Sequence, residues 1–173
     1  MRRMKLWMMV LPALMVLGCG YALVGRGSNI PADVERVFLQ PLENRTTRAQ
    51  VEQIITQSIA DEIVLRGRFD LTSGEEGSDA VLSGEIIGFR VTPVSFDNQG
   101  LAAEYEISIS ARMEFRRVGG DEEVLWRSDN YIFRENYALE DDAVSFFDRE
   151  NVAIAEVSII FAKTLLTDLM EGF

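Results

Sequence analysis

The segment formed by residues 101–117 constrains the fold of this chain more than any other. Its apolar side chains fall on one set of alternate positions, namely Tyr105, Ile107, Ile109, Ala111, Met113 and Phe115. The positions between them are polar or charged, namely Glu104, Glu106, Ser108, Ser110, Arg112, Glu114 and Arg116. A period of two predicts a β-strand with one buried face and one wet face. At about 3.3 Å per residue this strand is about 55 Å long, far longer than most.

Turn signals on both sides place this strand inside an antiparallel meander. Residues 97–100 read Asp-Asn-Gln-Gly and residues 119–121 read Gly-Gly-Asp, and both are typical of hairpin turns. We therefore predict that residues 80–96 and 122–136 form the two neighbouring strands. Glycines inside the first neighbour predict bulges or bends. The last strand has apolar residues on both sets of positions, so we expect both of its faces to be partly covered.

Residues 47–66 predict a helix. Its apolar stripe repeats at the 3.6-residue period, and comprises Val51, Ile54, Ile55, Ser58, Ile59, Glu62 and Ile63. Thr47 with Gln50 matches a capping box at the start, and Gly67 predicts the end of the helix. Short strands are expected on either side, at residues 30–41 and 68–72.

A second helix is predicted from the acidic residues 140–142 to about Met170. Its stripe consists of Phe147, Ile154, Val157, Phe161, Leu165 and Leu169. Acidic residues are favourable at a helix N-terminus, which explains Asp141 and Asp142 better than acid–base catalysis does. The order of elements predicts an α+β two-layer sandwich. It has a mostly antiparallel, four- to five-stranded sheet with two helices on one face.

The N-terminus has the layout of an export signal. Arg2, Arg3 and Lys5 precede an apolar run over residues 6–17, which Gly18 and the only cysteine, Cys19, follow. This layout resembles a bacterial lipoprotein signal. The resemblance implies a signal peptide at residues 1–18, cleavage, a lipid on the Cys19 sulfur and an acylated new N-terminus.

An uncleaved transmembrane helix is the alternative for this segment. A span needs roughly 20 apolar residues, whereas this run is shorter and contains Pro12. With the signal removed, residues 19–173 are predicted to form a single domain.

Composition excludes several classes of site. The chain has no histidine, which removes Ser-His and Cys-His nucleophile systems and the commonest metal ligand. The one cysteine is taken by the anchor, so we expect neither a disulfide nor a thiolate metal site, and no cofactor apart from the covalent lipid on Cys19. A hydrolase is disfavoured for the same reasons. The net charge of −11 argues against nucleic acid as a partner.

The wet face of the central strand has two interpretations. Its charge changes sign along the strand, from Glu104 and Glu106 to Arg112 and Arg116. The basic end could bind phosphate or another anionic partner, because arginine suits bidentate contacts with phosphate. The alternative is a solvated face with cross-strand ion pairs. The Gly25-x-Gly27 pair is not interpreted as a phosphate loop, because no strand-then-helix context surrounds it.

Several motifs, taken in order, resemble one lipoprotein family. These are Cys19-Gly20-Tyr21-x-Leu23 followed by Ile30-Pro31, residues 96–105 (FDNQGLAAEY), Val124-Leu125-Trp126, Tyr131-x-Phe133-Arg134-Glu135-Asn136-Tyr137, and Phe146-Phe147-Asp148. Together they resemble the LPS-assembly lipoprotein family, LptE, over essentially the whole exported chain.

The resemblance implies a function. The chain would be an outer-membrane lipoprotein on the periplasmic side, held by its lipid anchor, and not an enzyme. It would plug the LptD β-barrel and help deliver lipopolysaccharide to the cell surface. Candidate contacts with lipopolysaccharide or the barrel are Arg90, Asn98, Arg112 and Arg116.

A second type of outer-membrane lipoprotein stays open. Residues 30–44 and the following helix also resemble the start of lipoproteins that activate peptidoglycan synthases and of curli-secretion lipoproteins. The partner would distinguish them, because one type binds a large β-barrel and the other a penicillin-binding protein or a pore.

Overall fold

The computed structural model describes residues 30–98, 100, 102–120, 123–138 and 146–172, with side chains placed from residue 153 onward in the last range. In chain order the elements are β1 (Arg36–Leu39), β2 (Glu43–Asn44), α1 (Val51–Arg66), β3 (Asp70–Thr72), β4 (Ala80–Phe96), β5 (Ala102–Arg117), β6 (Val124–Ala138) and α2 (Phe146–Glu171). The predictions for residues 1–18, Cys19, Gly25-x-Gly27, Asp141 and Asp142 lie outside the described residues.

The fold class is α+β as predicted, but the sheet differs from the prediction. It has six strands rather than four or five, in the order β3-β1-β4-β5-β6, and β2 also pairs with β4. It is mixed, because β1 runs parallel to β3 and β4, and β2 runs parallel to β4. Helix α1 carries the chain back across the sheet between β1 and β3, and such a crossover makes the strands parallel.

The first strand is much shorter than the predicted residues 30–41. A turn precedes it, in which the Val34 N–H donates to the Pro31 carbonyl at 3.1 Å. Strand β2 lies where the sequence indicated only a loop. Short strands of this kind form through tertiary pairing, which local composition does not reveal.

The predicted meander is confirmed, and its bulges explain the confusing pattern of β6. Strand β5 pairs antiparallel with both β4 and β6 over nearly its full length. Its register with β6 shifts between the Ala111–Tyr131 and Met113–Ser128 pairs. One extra residue on β6 reverses which alternate side chains face the helices. Trp126 before the shift and Phe133 after it therefore both face the helix side.

The start of α1 differs from the predicted capping box. The helix begins at Val51, and Gln50 precedes it with φ of 67° and no side-chain cap. Asn44 organises the approach to the helix instead, because its Oδ1 accepts the Thr46 N–H at 2.8 Å and its Nδ2 donates to the Arg48 carbonyl at 2.7 Å. The predicted end is confirmed, since Gly67 has φ of 60° and donates its N–H to Ile63.

Both helices pack on one face of the sheet around a single core. The described part of the α2 stripe is buried as predicted: Ile154, Val157, Phe161, Leu165 and Leu169. The Phe161 ring meets those of Tyr131 and Phe133 edge-on, each at 5.7 Å. The Tyr131 hydroxyl also donates to Asp168 at 2.7 Å, which joins β6 to α2. No helix within the described residues is long and apolar enough to cross a membrane.

Candidate binding face of the sheet

The sheet face that points away from the helices, called here the outer face, carries the predicted arginines. The alternation of β5 decides this, because its odd-numbered residues from Ile107 to Phe115 are buried in the core and its even-numbered residues point outward. Arg112 and Arg116 are therefore on the outer face. Arg90 joins them because it lies opposite Ser108 in the register of β4 and β5.

The outer face divides into two halves. The proximal half extends from Arg116 to Arg112 on β5, beside the beginning of β4. The distal half extends from Ser110 on β5 to the β4–β5 turn. Arg90 and Arg112 are thus separated by four residues of strand, about 13 Å.

Arg112 is bound within a network of ion pairs in the proximal half. Its guanidinium contacts Glu85, which lies directly across on β4. Arg45 also contacts Glu85, with Nε 3.1 Å from Oε2, and contacts Glu43 at 2.6 Å. Burial acts to raise the pKa of the Glu85 carboxyl, but hydrogen bonds from Arg112 and Arg45 outweigh it and hold this pKa below its usual value.

The other proximal arginines are paired in the same way. Arg116 contacts Glu75 at 2.8 Å, and Arg127 contacts Asp129 at 2.7 Å and Glu114 at 3.6 Å. Pairs of this exposure contribute less than about 1 kcal/mol each. For Arg112 and Arg116, the geometry therefore matches the second interpretation of the sequence, a solvated face with cross-strand ion pairs.

The distal half contains two arginines of a different kind. Arg90 and Arg134 lie on opposite sides of Ser108, as its cross-strand partners on β4 and β6. Both side chains are exposed, and neither has a hydrogen bond or an ion pair in the described part of the chain. Two strand spacings place their backbones about 10 Å apart, so both guanidinium groups can reach a group bound above Ser108.

Small residues form the floor beside this arginine pair. Gly88 and Ser110 occupy the next row toward the proximal half, and Ile132 lies across from Ser110 with 46% of its surface exposed. In the row toward the turn, Glu106 contacts neither arginine. The result is a shallow trough that has cations on both sides and an apolar residue at one end.

The chemistry that this trough supports is anion binding. Arginine offers several N–H donors in a planar fork that matches phosphate, and charge-assisted hydrogen bonds of this type are the strong ones. Within the described residues no group of acidic, cysteine or histidine side chains could hold a metal ion. Of the predicted contacts, the structure therefore brings only Arg90 to the trough.

Asn98 lies apart from the predicted arginines. It is exposed in the β4–β5 turn, eight residues along the chain from Arg90, which corresponds to about 25 Å of strand. The four predicted contacts therefore do not form one site.

Sequence reasoning missed Arg134 as a site residue. Its position beside Ser108 depends on the β5–β6 register, and the bulge near residues 128–131 shifts that register by one residue. A second shift lies between the Arg116–Val124 and Phe115–Trp126 pairs, so a count from the turn without either shift would place Arg134 opposite Glu106 instead of Ser108. The sequence held one signal for this residue. Arg134 follows the apolar residues Ile132 and Phe133, and no acidic residue lies near it on the outer face of the strand.

One family model matches most of the chain. The sequence model described as "LptE: Lipopolysaccharide-assembly" matches residues 34–169. No curated protein matches the sequence.

Solved structures share the fold at low sequence identity. The hypothetical protein CT253 from Chlamydia trachomatis superposes with a TM-score of 0.56 at 12% identity, covering 80% of this chain and 96% of its own. A proposed lipoprotein from Caulobacter crescentus CB15 has a TM-score of 0.54 at 13% identity, covering 84% of this chain and 96% of its own. At this identity the likeness shows a shared fold only.

Proposed function

Because the chain belongs to the LptE lipopolysaccharide-assembly family, we propose that it is a lipid-anchored outer-membrane lipoprotein that works with the LptD β-barrel and binds the phosphorylated part of lipopolysaccharide through its outer face. It acts by binding and has no catalytic role. The observation that supports the ligand contact is the pair Arg90 and Arg134 beside Ser108, neither of which has an ion-pair partner among the described residues.

The arginine pair supports the proposal through its charge. The chain has a net charge of −11, which as a whole repels anions. A phosphorylated ligand can bind such a chain only where cations are concentrated and not already neutralised. Arg90 and Arg134 meet that condition, whereas Arg112 and Arg116 have carboxylate partners. We therefore assign the phosphate contact to the distal half, with Arg112 and Arg116 facing the barrel.

The proposed anchor fits the geometry of the described chain. Residue 30, where the described chain begins, lies close to Asp33, and Asp33 contacts Arg117 at the proximal end of β5 at 2.6 Å. Cys19 is 11 residues before Ile30, so the tether reaches at most about 40 Å. An acyl anchor on Cys19 would thus tether the domain to the membrane by its proximal end. Several acyl chains make such an anchor stable.

The plug role fits the polarity of the outer face. The interior of an outer-membrane barrel is polar, so a sheet face with paired charges can line it without exposing a large apolar patch. The proximal network, in which Arg45 and Arg112 share Glu85, is a face of this kind.

Two experiments test the proposal. Affinity purification of the full chain from outer membranes should recover a large β-barrel protein, and recovery of a penicillin-binding protein instead would contradict the proposal.

The second experiment tests the anchor. Cys19→Ser should lose lipid labelling and leave the outer-membrane fraction. Normal processing and membrane association of Cys19→Ser would refute the anchor.

A second measurement addresses the ligand. The purified full chain should bind lipopolysaccharide and should bind its dephosphorylated form much more weakly. Equal binding of the two forms would show that phosphate is not what the outer face recognises.

A further inference from the structure

The sheet has two long free edges in its distal half. Strands β1 and β2 pair with β4 only as far as Ile86, so beyond that residue the sheet described here consists of β4, β5 and β6 alone. Beyond Ile86, the edge of β4 that faces away from β5 has no neighbouring strand in the described part of the chain. The edge of β6 that faces away from β5 has none there over its whole length. Unpaired backbone N–H and C=O groups on such edges are a template for another strand.

The edge of β4 carries features that discourage pairing. Pro93 lies within it and cannot donate a backbone hydrogen bond. The register with β5 is irregular between Pro93 and Ser95 and again between Ser95 and Phe96. Proline and bulges are the devices by which proteins protect an edge strand.

The edge of β6 lacks these devices over residues 131–138, called here the open edge. Its register with β5 is unbroken from the Ala111–Tyr131 pair to the Glu104–Ala138 pair. The open edge contains no proline and no lysine. Eight residues of regular strand expose about 25 Å of edge.

One charge on the open edge selects what can pair there. Glu135 lies opposite the buried Ile107, so its carboxylate points toward the helix side of the sheet. It is half-buried and has no hydrogen bond or ion pair in the described residues. An inward-pointing charge at an edge disfavours a neutral strand, which would bury it without a partner, and repels an acidic one. A basic side chain on an added strand would neutralise it.

We propose that the open edge of β6 accepts an extended strand of the barrel partner, which carries a lysine or arginine beside Glu135. The proposal rests on the proposed function, because the strand belongs to the same barrel. Main-chain hydrogen bonds supply affinity in such strand addition, and alternate side chains supply specificity. The added strand would place an apolar residue beside the exposed Ile132 on the outer face.

Charge argues against a second copy of this chain as the occupant. Two β6 strands related by a two-fold axis pair antiparallel, and the residue at the axis lies opposite itself. The two registers that use the open edge most fully put Arg134 opposite Arg134 or Glu135 opposite Glu135. Like charges directly opposite one another are destabilising, and the net charge of −11 adds further repulsion.

Hydrogen exchange of the full lipidated chain, alone and in its co-purified barrel complex, tests the proposal. Amides of residues 131–138 that do not bond to β5 should exchange at least tenfold more slowly in the complex. The edge of β4 at residues 89–96 is the internal control and should change much less. Slow exchange of the whole open edge before the barrel is added would overturn the proposal, since the chain itself would then cover that edge. Slowing that rises with protein concentration would assign the edge to a second copy and also overturn it.

A charge reversal separates strand addition from simple burial inside the barrel. Glu135→Arg should weaken barrel binding at least tenfold and leave lipopolysaccharide binding unchanged. Glu104→Arg, a reversal on the outer face away from the edge, is the matched control and should weaken barrel binding much less. Circular dichroism checks that both variants fold.

If the barrel binds but neither the exchange nor Glu135→Arg distinguishes the open edge, the strand proposal fails and the proposed function stands. If no barrel binds at all, the proposed function fails and the strand proposal with it.

Discussion

The two halves of the outer face place the same residue type in different surroundings. In the proximal half Arg112, Arg116 and Arg127 each contact a carboxylate. In the distal half Arg90 and Arg134 contact none in the described residues. The comparison teaches that an arginine on a wet sheet face is a candidate ligand contact only where the surrounding structure leaves its charge unpaired.

The width of the sheet accounts for part of this difference. Beside the proximal half, the segment that follows β3 brings Glu75 to Arg116. Arg112 and Arg127 are instead paired within the meander itself. Beyond Ile86 no further strand of the described residues flanks β4, so none of them brings an additional carboxylate to Arg90.

The largest expected effect is on the distal half. Replacing both distal arginines, Arg90→Glu with Arg134→Glu, should weaken lipopolysaccharide binding about a hundredfold, because two charge-assisted contacts of about 1.5 kcal/mol each are lost. Titration of the purified full chain with lipopolysaccharide measures this. The matched control is the proximal pair Arg112→Glu with Arg116→Glu. If the control loses as much ligand affinity, the distinction between the two halves is wrong.

The next prediction compares two glycines of β4, one in each half. A Cβ on Gly84 would lie 2.5 Å from the Met113 sulfur and 2.6 Å from the Arg112 carbonyl oxygen. Gly84→Ala should therefore cost about 1–3 kcal/mol of unfolding free energy through overpacking. A Cβ on Gly88 would meet only Ser110, at 3.2 Å. Urea unfolding should show Gly88→Ala to be clearly the milder change, and equal losses would mean that the distal half is packed as tightly as the proximal.

A third prediction concerns pH and the proximal end. The Arg36 guanidinium, followed by the backbone N–H groups of Arg36 and Glu35, holds the pKa of Asp79 far below its usual value of 3.8. Asp79 therefore stabilises the fold above the unfolded pKa, and this contribution disappears as pH falls through the folded value. Asp79→Asn should be less stable than the wild type near pH 7 in urea unfolding, and the gap should shrink progressively below about pH 4. If the difference in unfolding free energy between the two proteins does not depend on pH, the charge of Asp79 does not hold β1 to β4.

The smallest expected effect is that of one proximal pair. Arg112→Ala should lower the unfolding free energy by less than about 1 kcal/mol, because the side chain is 47% exposed and Arg45 still neutralises Glu85. Thermal unfolding at low and high salt measures it, and high salt should reduce the difference further. A loss of several kcal/mol would show that the proximal network is essential to folding.

Local pattern predicted the long elements well. The alternation of β5 and the turns on either side of it correctly predicted the meander, and β4 has the predicted bounds of Ala80–Phe96. The described residues of both helix stripes are buried as expected, although Ile54 and Ser58 of α1 are only half-buried. These elements were predictable because their side-chain period depends only on residues near in sequence.

Short elements and the helix start were not predictable in this way. Strand β2 has two residues, and neither carries a strand pattern. The capping box at Thr47 failed because Asn44 and Thr46 bind each other and shape the approach to α1 instead. Such choices are made by competition among local polar groups, and several arrangements have similar free energies.

The sequence by itself determined which side of β5 is buried and where the meander turns. These properties follow from residue type and spacing along a single segment. Only the tertiary structure decided which arginines are free, because Glu85 and Glu75 are 27 and 41 residues from the arginines that they neutralise. It also decided that Arg134 lies beside Ser108, since two one-residue register shifts between β5 and β6 change which residue of β5 lies opposite it.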